Sequence, residues 1–210
     1  KGTGYGNPIS FTTKGTFTDS RDGNVYKTVK IGNQIWMAEN LRYLPSMSNS
    51  QSNTTPCYYV YGYFGSDVNE AKTKKKYITY GVLYNWSAAS SSCPSGWHLP
   101  SNAEWQELID YLGGGNVAGN KLKETGNTHW DCFDHINQSA TNKSGFTALP
   151  GGRFNGNGSF DGGGTSCYWW SSTWVYDCAA IYWGMSCKDE EVKRDDILKE
   201  LGFSVRCIKD

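Results

Sequence analysis

The chain has 210 residues, and its 20 basic and 20 acidic side chains give a formal net charge of zero. Nucleic acid and anionic membrane surfaces are therefore not expected as partners, because binding to either needs clustered positive charge that this sequence lacks. No apolar run is long enough to span a bilayer, and 15% aromatic residues together with 25 glycines favour a loop-rich fold over a helical bundle.

The first part of the chain is predicted to be extended. Residues 1–13 alternate small and apolar side chains without a helix signal, so they are expected to be a linker or a strand of an upstream module, ahead of one domain over 14–210. An Asp-Gly pair before residues 25–31 and a Gly-Asn pair after them predict a hairpin whose second strand runs through 35–37.

Four segments lead from this hairpin to the middle of the chain. Residues 45–56 are a polar loop between two prolines, and 58–64 form a Tyr-rich strand or an irregular aromatic segment. The lysines of 71–76 are expected on a solvated face. Apolar spacing over 82–89 predicts a short helix.

The strongest helix signal begins at Ser101. Its hydroxyl can accept the N–H of Glu104, whose carboxylate can accept the N–H of Ser101 in return, and this reciprocal pair is a capping box. Gly113 is expected to end the helix, because glycine tolerates the left-handed conformation of a C-terminal cap. Helical spacing predicts one buried stripe between these two ends, made of Trp105, Leu108, Ile109 and Leu112.

The second half of the chain is predicted to hold loops and short strands. A Gly/Asn loop and a short element at 121–123 precede 145–152, which is expected to be a buried strand that ends in a turn. From 153 to 187, Gly-rich turns alternate with aromatic residues at no regular period. Residues 188–201 have helical composition, and 203–208 are predicted as a closing strand. The fold class is α+β, with two main helices, short antiparallel strands and much irregular loop.

Chemical motifs are sparse. His129, Cys132 and His135 are of the types that bind zinc, but no clear fourth donor accompanies them, so a polar loop is the favoured interpretation. His98, in the turn before the helix, is expected to be structural. No Ser–His–acid constellation and no phosphate-binding loop is found. We therefore predict no enzyme, no catalytic residue, no metal ligand and no cofactor.

Seven stretches of the chain resemble the Fibrobacter succinogenes major paralogous domain, a bacterial family, in the order that the family keeps. Together they extend over most of the chain from about residue 15 to 210. They are TFTDSRDG at 16–23, VKIGNQIWMAENL at 29–41, YGVLYNW at 80–86, CPSGWHLP at 93–100, GFTALPGG at 145–152, YWWSST at 168–173 and GFSVRC at 202–207.

The resemblance implies a C-type-lectin-like fold, related more distantly to the formylglycine-generating enzyme. Cys93 and Cys207 would then form a disulfide between the turn before the helix and the last strand. Residues 1–13 would be the last strand of an immunoglobulin- or fibronectin-like module. One long irregular segment late in the chain would present the surface that faces the ligand.

Residues 153–187 depart most from the family pattern, and they are predicted to carry the ligand-binding side chains. Their mixture of Trp, Tyr, Asp, Gly and Ser is typical of a paratope, in which rigid aromatics supply contact area and small polar residues adapt. The predicted contacts are Phe154, Tyr168, Trp174, Tyr176, Ile181 and Trp183, with Asn155, Asp161 and Asp177 as polar anchors. Trp169 and Trp170 belong to a family landmark, so at least one is expected in the core.

The same residue types suggest two competing histories for this segment. Many of them are reachable from asparagine codons by adenine changes, as in proteins that retroelements diversify, and drift in a surface loop explains them equally well. The thirteen positions concerned are Phe154, Asn155, Asp161, Thr165, Ser166, Cys167, Trp174, Val175, Tyr176, Asp177, Cys178, Ile181 and Trp183.

Seven cysteines favour an oxidising compartment and hence export to the cell surface or beyond. Cys57, Cys132, Cys167, Cys178 and Cys187 have no predicted partner. The function expected is an exported, non-enzymatic binding module for a protein or a glycan, and a structural calcium ion at Asp161 or Asp177 is left open. Two alternatives are a formylglycine-generating type of oxidoreductase, with Cys178 and Cys187 as the reactive pair, and a structural module of a tandem surface protein.

Overall fold

Two five-stranded sheets form the frame of residues 14–131 and 139–210, which are the residues that the computed structural model describes. Residues 1–13, the predicted upstream strand, lie outside this range, as do Cys132 and His135. Within the described residues no helix has the length and apolar character that a membrane span requires. The α+β class is confirmed.

The first sheet contains the predicted hairpin. Its strands are β1 (Lys14–Thr18), β2 (Val25–Ile31), β3 (Gln34–Met37), β6 (Trp97–His98) and β12 (Ile208–Lys209), in the order β1-β2-β3-β12-β6. Ile31 pairs with Gln34 across Gly32 and Asn33, and Gly32 has a φ of 60°. That angle is one that few residues other than glycine adopt, and it allows the two-residue turn. A small third sheet pairs β4 (Tyr58–Tyr59) with β5 (Leu83–Tyr84).

Residues 153–187 were expected to be irregular, but most of them form strands of the second sheet. Its strands are β7 (Gly151–Phe154), β8 (Phe160–Gly163), β9 (Ser166–Tyr176), β10 (Ala179–Ser186) and β11 (Lys193–Leu198), in the order β11-β10-β9-β7-β8. Both faces of its centre are covered by other elements, so no alternation of polar and apolar residues marks β9 in the sequence.

The helix predicted at 188–201 is wrong, because Lys193–Leu198 pairs with β10 instead. The apolar residues of this segment make too weak a stripe to hold a helix against the core. An edge strand tolerates the run Lys-Arg-Asp-Asp, since its side chains are mostly exposed. Charge on an edge strand also discourages pairing with other chains.

Five helices complete the described residues: α1 (Val68–Thr73), α2 (Lys75–Tyr80), α3 (Trp86–Ser92), α4 (Asn102–Tyr111) and α5 (Gly115–Leu122). The helix predicted from Ser101 is confirmed as α4, with both hydrogen bonds of the capping box. All four residues of its stripe are buried, and Gly113 has a φ of 100°.

Tertiary contacts changed three of the local predictions. The lysine-rich segment forms α1 and α2, which bury Ala71, Tyr77 and Tyr80 under a charged outer face. The helix expected from residue 82 begins only at Trp86, because the preceding residues pair with β4. The expected Gly/Asn loop is α5, where Gly119 lies so close to the Glu190 carbonyl that a side chain there would collide with it.

The segment 145–152 is buried, but most of it is not a strand. Phe146 and Ala148 are fully buried, and Ala148 forms a single bridge with Lys123. Thr147 between them has a φ of 56°, which a continuous strand does not allow. Regular pairing starts only at Gly151.

Two cores lie on opposite faces of the second sheet. Trp169, Ile181 and Trp183 pack against α4, α5 and the first sheet, whereas Trp170 packs with α3 and with Phe203 of the closing segment. The predicted disulfide between Cys93 and Cys207 is present and closes a loop of 114 residues. In chain-entropy terms such a closure contributes about 5 kcal/mol.

Candidate functional site

Three of the nine predicted contact residues are in the core. Ile181 and Trp183 are each 3% exposed and face inward from β10. Phe154 is 4% exposed, and its ring stacks on Tyr59 with 3.8 Å between the centroids. These side chains are unavailable to a ligand at the surface, so the expectation that they contact it is corrected.

Trp169 and Trp170 are both fully buried, which confirms that at least one is core. They point to opposite faces of β9. The Nε1–H of Trp169 donates to Asn40 Oδ1 at 2.9 Å, and that of Trp170 donates to the Tyr84 carbonyl at 2.8 Å. The two tryptophans of the aromatic landmark therefore fill two cores and are unavailable to a ligand.

Three exposed contact residues, Trp174, Tyr176 and Asp177, lie at the end of the β9–β10 hairpin, and we call residues 174–178 the hairpin tip. Trp174 is 56% exposed, Val175 38% and Tyr176 64%. Asp177 and Cys178 form the exposed turn after them. Leu198, 48% exposed, extends this apolar surface, because it pairs with the same residue of β10, Ala179, that pairs with Tyr176.

A bulge in β9 sets the direction of the hairpin tip. Trp170 pairs with Tyr182 and Trp174 pairs with Ala180. Between these two pairs β9 advances by four positions and β10 by only two. Extra residues on one strand bend it and increase its twist. The bend carries Trp174 away from the core that Trp170 occupies.

Lys199 supports the hairpin tip from beneath. Its side chain is buried, and its Nζ lies 4.4 Å from the ring centroid of Trp86 and 5.2 Å from that of Trp174. The same Nζ donates to the Asp177 carbonyl at 3.0 Å. Each cation–π contact of this kind contributes about 1 kcal/mol, so the turn and the Trp174 ring are held in one arrangement.

The other predicted contacts lie elsewhere on the same sheet. Arg153 brings Asp161 and Tyr168 together: its Nη2 is 3.1 Å from Asp161 Oδ2, and its guanidinium is 5.4 Å from the Tyr168 ring centroid. Asn155 is in the β7–β8 turn, where its Nδ2 donates to Ser159 Oγ at 3.3 Å. Tyr168 and Trp174 are six positions apart along β9, or roughly 20 Å of strand, so the two groups are distinct.

Sequence reasoning missed the residues that complete these surfaces. Trp86 and Lys199 lie outside 153–187, and Lys199 falls in the segment predicted to be helical, so no local signal marks them. Phe64 is 72% exposed, and its ring centroid lies 5.4 Å from that of Phe160, the first residue of β8. An exposed aromatic of this kind cannot be told from a core aromatic without the fold.

His98 and His129, two of the histidines that the sequence singled out, have carboxylate partners. His98 Nδ1 lies 2.6 Å from Asp210 Oδ1, and its Nε2 lies 2.8 Å from Glu104 Oε1, which fits the structural role expected of it. His129 Nδ1 lies 2.8 Å from Glu124 Oε2. Among the described residues no cluster of three or more His, Cys, Asp and Glu side chains is placed to hold a metal ion.

Four cysteines of the described residues are free thiols, of which Cys178 is exposed and Cys57, Cys167 and Cys187 are buried. Burial raises the pKa of the Cys167 thiol to about 12, which makes it inert. Cys178 and Cys187 flank the eight residues of β10. Roughly 30 Å of extended strand therefore separates them, and they cannot act as one reactive pair.

A comparison with protein families matches the chain to the Fibrobacter succinogenes major domain over residues 29–209. The match contains both sheets except β1 and the start of β2, all five helices and the hairpin tip. No curated protein and no solved structure gave a significant match to the chain.

Proposed function

Since the chain belongs to the Fibrobacter succinogenes major domain family, we propose that it is an exported, non-enzymatic recognition module with a C-type-lectin-like fold, whose hairpin tip contacts the ligand. The first and last strands lie in one sheet, and a disulfide closes the fold; both features support that fold. Disulfides persist in oxidising compartments, which supports export.

The observation that carries the proposal is the exposure of Trp174 and Tyr176 on a support that is already ordered. Tryptophan and tyrosine dominate the energetics of recognition surfaces, because they bury large areas at a low cost in side-chain entropy. Lys199 holds Trp174 from beneath, so little ordering is needed on binding. An exposed apolar surface that bound no ligand would make a surface protein prone to aggregation.

The composition of the hairpin tip favours a protein as the ligand. Trp174, Val175, Tyr176 and Leu198 are apolar or aromatic and exposed, and Asp177 is the one charged side chain within the tip. A glycan would need several polar groups around a stacked ring to fix its hydroxyls. Glycan binding is therefore the second outcome of the binding experiment.

The experiment compares the wild-type protein with the Trp174→Ala/Tyr176→Ala variant against two probes: a panel of purified cell-surface proteins and a glycan array. Binding to a member of either panel should weaken by at least a hundredfold in the variant, because two hot-spot side chains each contribute about 2 kcal/mol or more. Phe64→Ala is the matched control, since it removes an exposed aromatic far from the tip and should leave binding unchanged.

The same ligand must protect the tip amides from hydrogen exchange. A ligand that binds the double variant as tightly as the wild type, or that protects another face, contradicts the proposal. Binding of glycans alone would keep the tip as the site and replace the protein ligand with a sugar.

We further propose that any diversification of this segment is confined to its exposed positions. Phe154, Cys167, Ile181 and Trp183 are buried, so random change there would disrupt the core. Resequencing of codons 150–192 across many clones of the source population tests this. Variation at adenine-containing template positions of 174–178, with the four buried codons fixed, is the expected result. An invariant tip leaves a single ligand to find, and equal variation at the buried codons contradicts the proposal.

A further inference from the structure

A cleft of about 610 Å³ opens between the first sheet, α2 and the loop over 142–149. Its walls come from β2, from Ile78 and Thr79 on α2, and from that loop, and Asn40 and Arg206 lie at its floor. Its volume falls in the range of roughly 300–1,000 Å³ that small-molecule sites occupy. None of its lining residues belongs to the hairpin tip, so a ligand of this cleft is independent of the proposed function.

The cleft is positively charged, although the chain as a whole has no net charge. Lys27, Arg42, Lys143 and Arg206 line it, against the single carboxylate of Glu39. Glu39 is already engaged, since its Oε1 lies 3.7 Å from Arg42 Nη1 and its Oε2 accepts the backbone N–H of Lys27 at 2.7 Å. In the part of the chain that the structure describes, Lys27 and Lys143 form no ion pair.

Arg206 is a buried cation without a carboxylate partner among the described residues. It is 1% exposed, and its guanidinium donates only to neutral oxygens: Asn40 Oδ1 and the carbonyls of Phe146 and Thr147. A buried unpaired charge is costly, and burial lowers the pKa of Arg206 to about 9, so the group is still charged at neutral pH. An anion in the cleft would supply the counter-charge that the described fold does not.

The rest of the wall includes a hydroxyl group with free hydrogen-bonding capacity. Thr79 lines the cleft, and no described residue accepts a hydrogen bond from its side chain. Ile78, 61% exposed, supplies an apolar contact at the rim. This combination suits a ligand that has a carboxylate at one end and hydroxyl groups along its length.

We propose that this cleft binds a small organic anion with one carboxylate and several hydroxyl groups, which is the chemistry of an acidic sugar. Lys27 and Lys143 attract the carboxylate, and Arg206 stabilises it from the floor. Arginine and lysine are the side chains that recognise carboxylates, and Thr79 binds a hydroxyl of the ligand.

Titration of the ¹⁵N-labelled protein with glucuronate, monitored by NMR, tests the proposal. The amides of 27–29 and 142–147 should shift with a dissociation constant of a few millimolar or tighter. Glucose is the matched ligand control, because it carries a CH₂OH group in place of the carboxylate, and it should not shift these amides. Lys143→Glu and Lys27→Glu should each raise the dissociation constant at least fivefold, whereas Lys188→Glu, an exposed lysine outside the cleft, should leave it unchanged.

Three outcomes of the titration would count against the proposal. If glucuronate, galacturonate and N-acetylneuraminate at 50 mM all leave the cleft amides unshifted, the proposal is overturned. Equal shifts with glucose would overturn the role of the carboxylate. Shifts that survive both Lys→Glu substitutions would assign the binding to a place other than this cleft. The two rim lysines are exposed, so their variants are expected to fold.

Discussion

Asn40 connects the two sheets through a single side chain. Its Nδ2–H₂ donates to the Tyr80 carbonyl at 3.0 Å and to Ser204 Oγ at 3.2 Å. Its Oδ1 accepts from Trp169 Nε1 and from two nitrogens of Arg206. All these groups are buried, so each bond satisfies a group that water cannot reach. The loss of this one side chain would leave several donors unsatisfied at once.

Replacement of Asn40 by alanine should therefore lower the free energy of unfolding by about 3 kcal/mol or more. The buried cation of Arg206 and the indole N–H of Trp169 would both lose their hydrogen bonds to Oδ1. Urea denaturation monitored by fluorescence measures the change. Asn49→Ala, at an exposed loop position, is the matched control and should change stability by less than about 0.5 kcal/mol. A loss below about 1 kcal/mol in Asn40→Ala would contradict the role assigned to Asn40.

His98 makes the stability of the fold depend on pH. Partial burial disfavours its charged form, but hydrogen bonds to Asp210 and Glu104 outweigh this and raise the pKa of His98 above its ordinary value near 6.5. A raised folded-state pKa stabilises the protein fully below pH 6.5, and this contribution is lost as the pH rises through the folded-state value. Because all three side chains are part-exposed, the effect should stay under about 1 kcal/mol.

Denaturation of the wild type and of His98→Gln between pH 5 and 9 tests this. The difference in stability should be greatest near pH 5.5–6 and should shrink at higher pH. Glu104 makes stability depend on pH at the acid end as well. Burial disfavours its charged form, but hydrogen bonds from Ser101 and His98 outweigh this and lower the pKa of Glu104. Its contribution is therefore lost when the pH falls through that lowered value. A difference that grows from pH 6 to pH 9 would contradict the assignment.

At the scale of elements, the β9–β10 hairpin divides into a buried base and an exposed tip. Trp183 at the base packs against Trp105 with ring centroids 6.3 Å apart, whereas Trp174 at the tip is mostly exposed. Both residues were predicted as ligand contacts on the same grounds. The alternation of faces along a strand and the bulge in β9 decide which ring meets solvent.

Trp183→Ala should lower the free energy of unfolding by roughly 3–5 kcal/mol, because it leaves a large cavity in the core. Trp174→Ala should cost less than about 1 kcal/mol, which is the loss of its contact with Lys199. Chemical denaturation of both variants under one set of conditions makes the comparison. Equal losses would mean that the tip is part of the core, and a negligible loss in Trp183→Ala would contradict the core position of Trp183.

At the scale of the molecule, the disulfide joins Cys93, directly after α3, to Cys207, directly before β12. The closed loop of 114 residues contains most of the core around Trp169 and less than half of the core around Trp170. Because it restricts the unfolded chain, its removal should matter more to stability than to the folded geometry.

The Cys93→Ala/Cys207→Ala variant should lose up to about 5 kcal/mol of unfolding free energy. The midpoint of thermal unfolding should be lower in the variant than in the wild type. A reducing agent should lower the midpoint of the wild type by a similar amount. Cys57→Ala is the matched control for a buried cysteine outside the disulfide, and reducing agent should have the same effect on it as on the wild type. An unchanged midpoint in the double variant would contradict the role of the disulfide.

The sequence alone determined the parts of this protein whose signals are local. The capping box of α4, the two-residue turn after β2 and the family landmarks each depend on residues a few positions apart, so they are readable without the fold. The pairing of Cys93 with Cys207 was implied by the resemblance to the family. The segment that the sequence singled out for ligand contact includes Trp174, Tyr176 and Asp177, which are exposed in the structure.

Only the tertiary structure decided which aromatic residues are exposed and what supports them. Burial of Phe154, Ile181 and Trp183 depends on elements distant in sequence that cover them, and Lys199 reaches Trp174 only because β11 pairs with β10. The same pairing overrode the helical composition of 188–201, since hydrogen bonds along a sheet edge outweigh weak local preference. Along β9 and β10, unlike along α4, no local pattern encodes which side chains are exposed, because their exposure depends on how the chain packs.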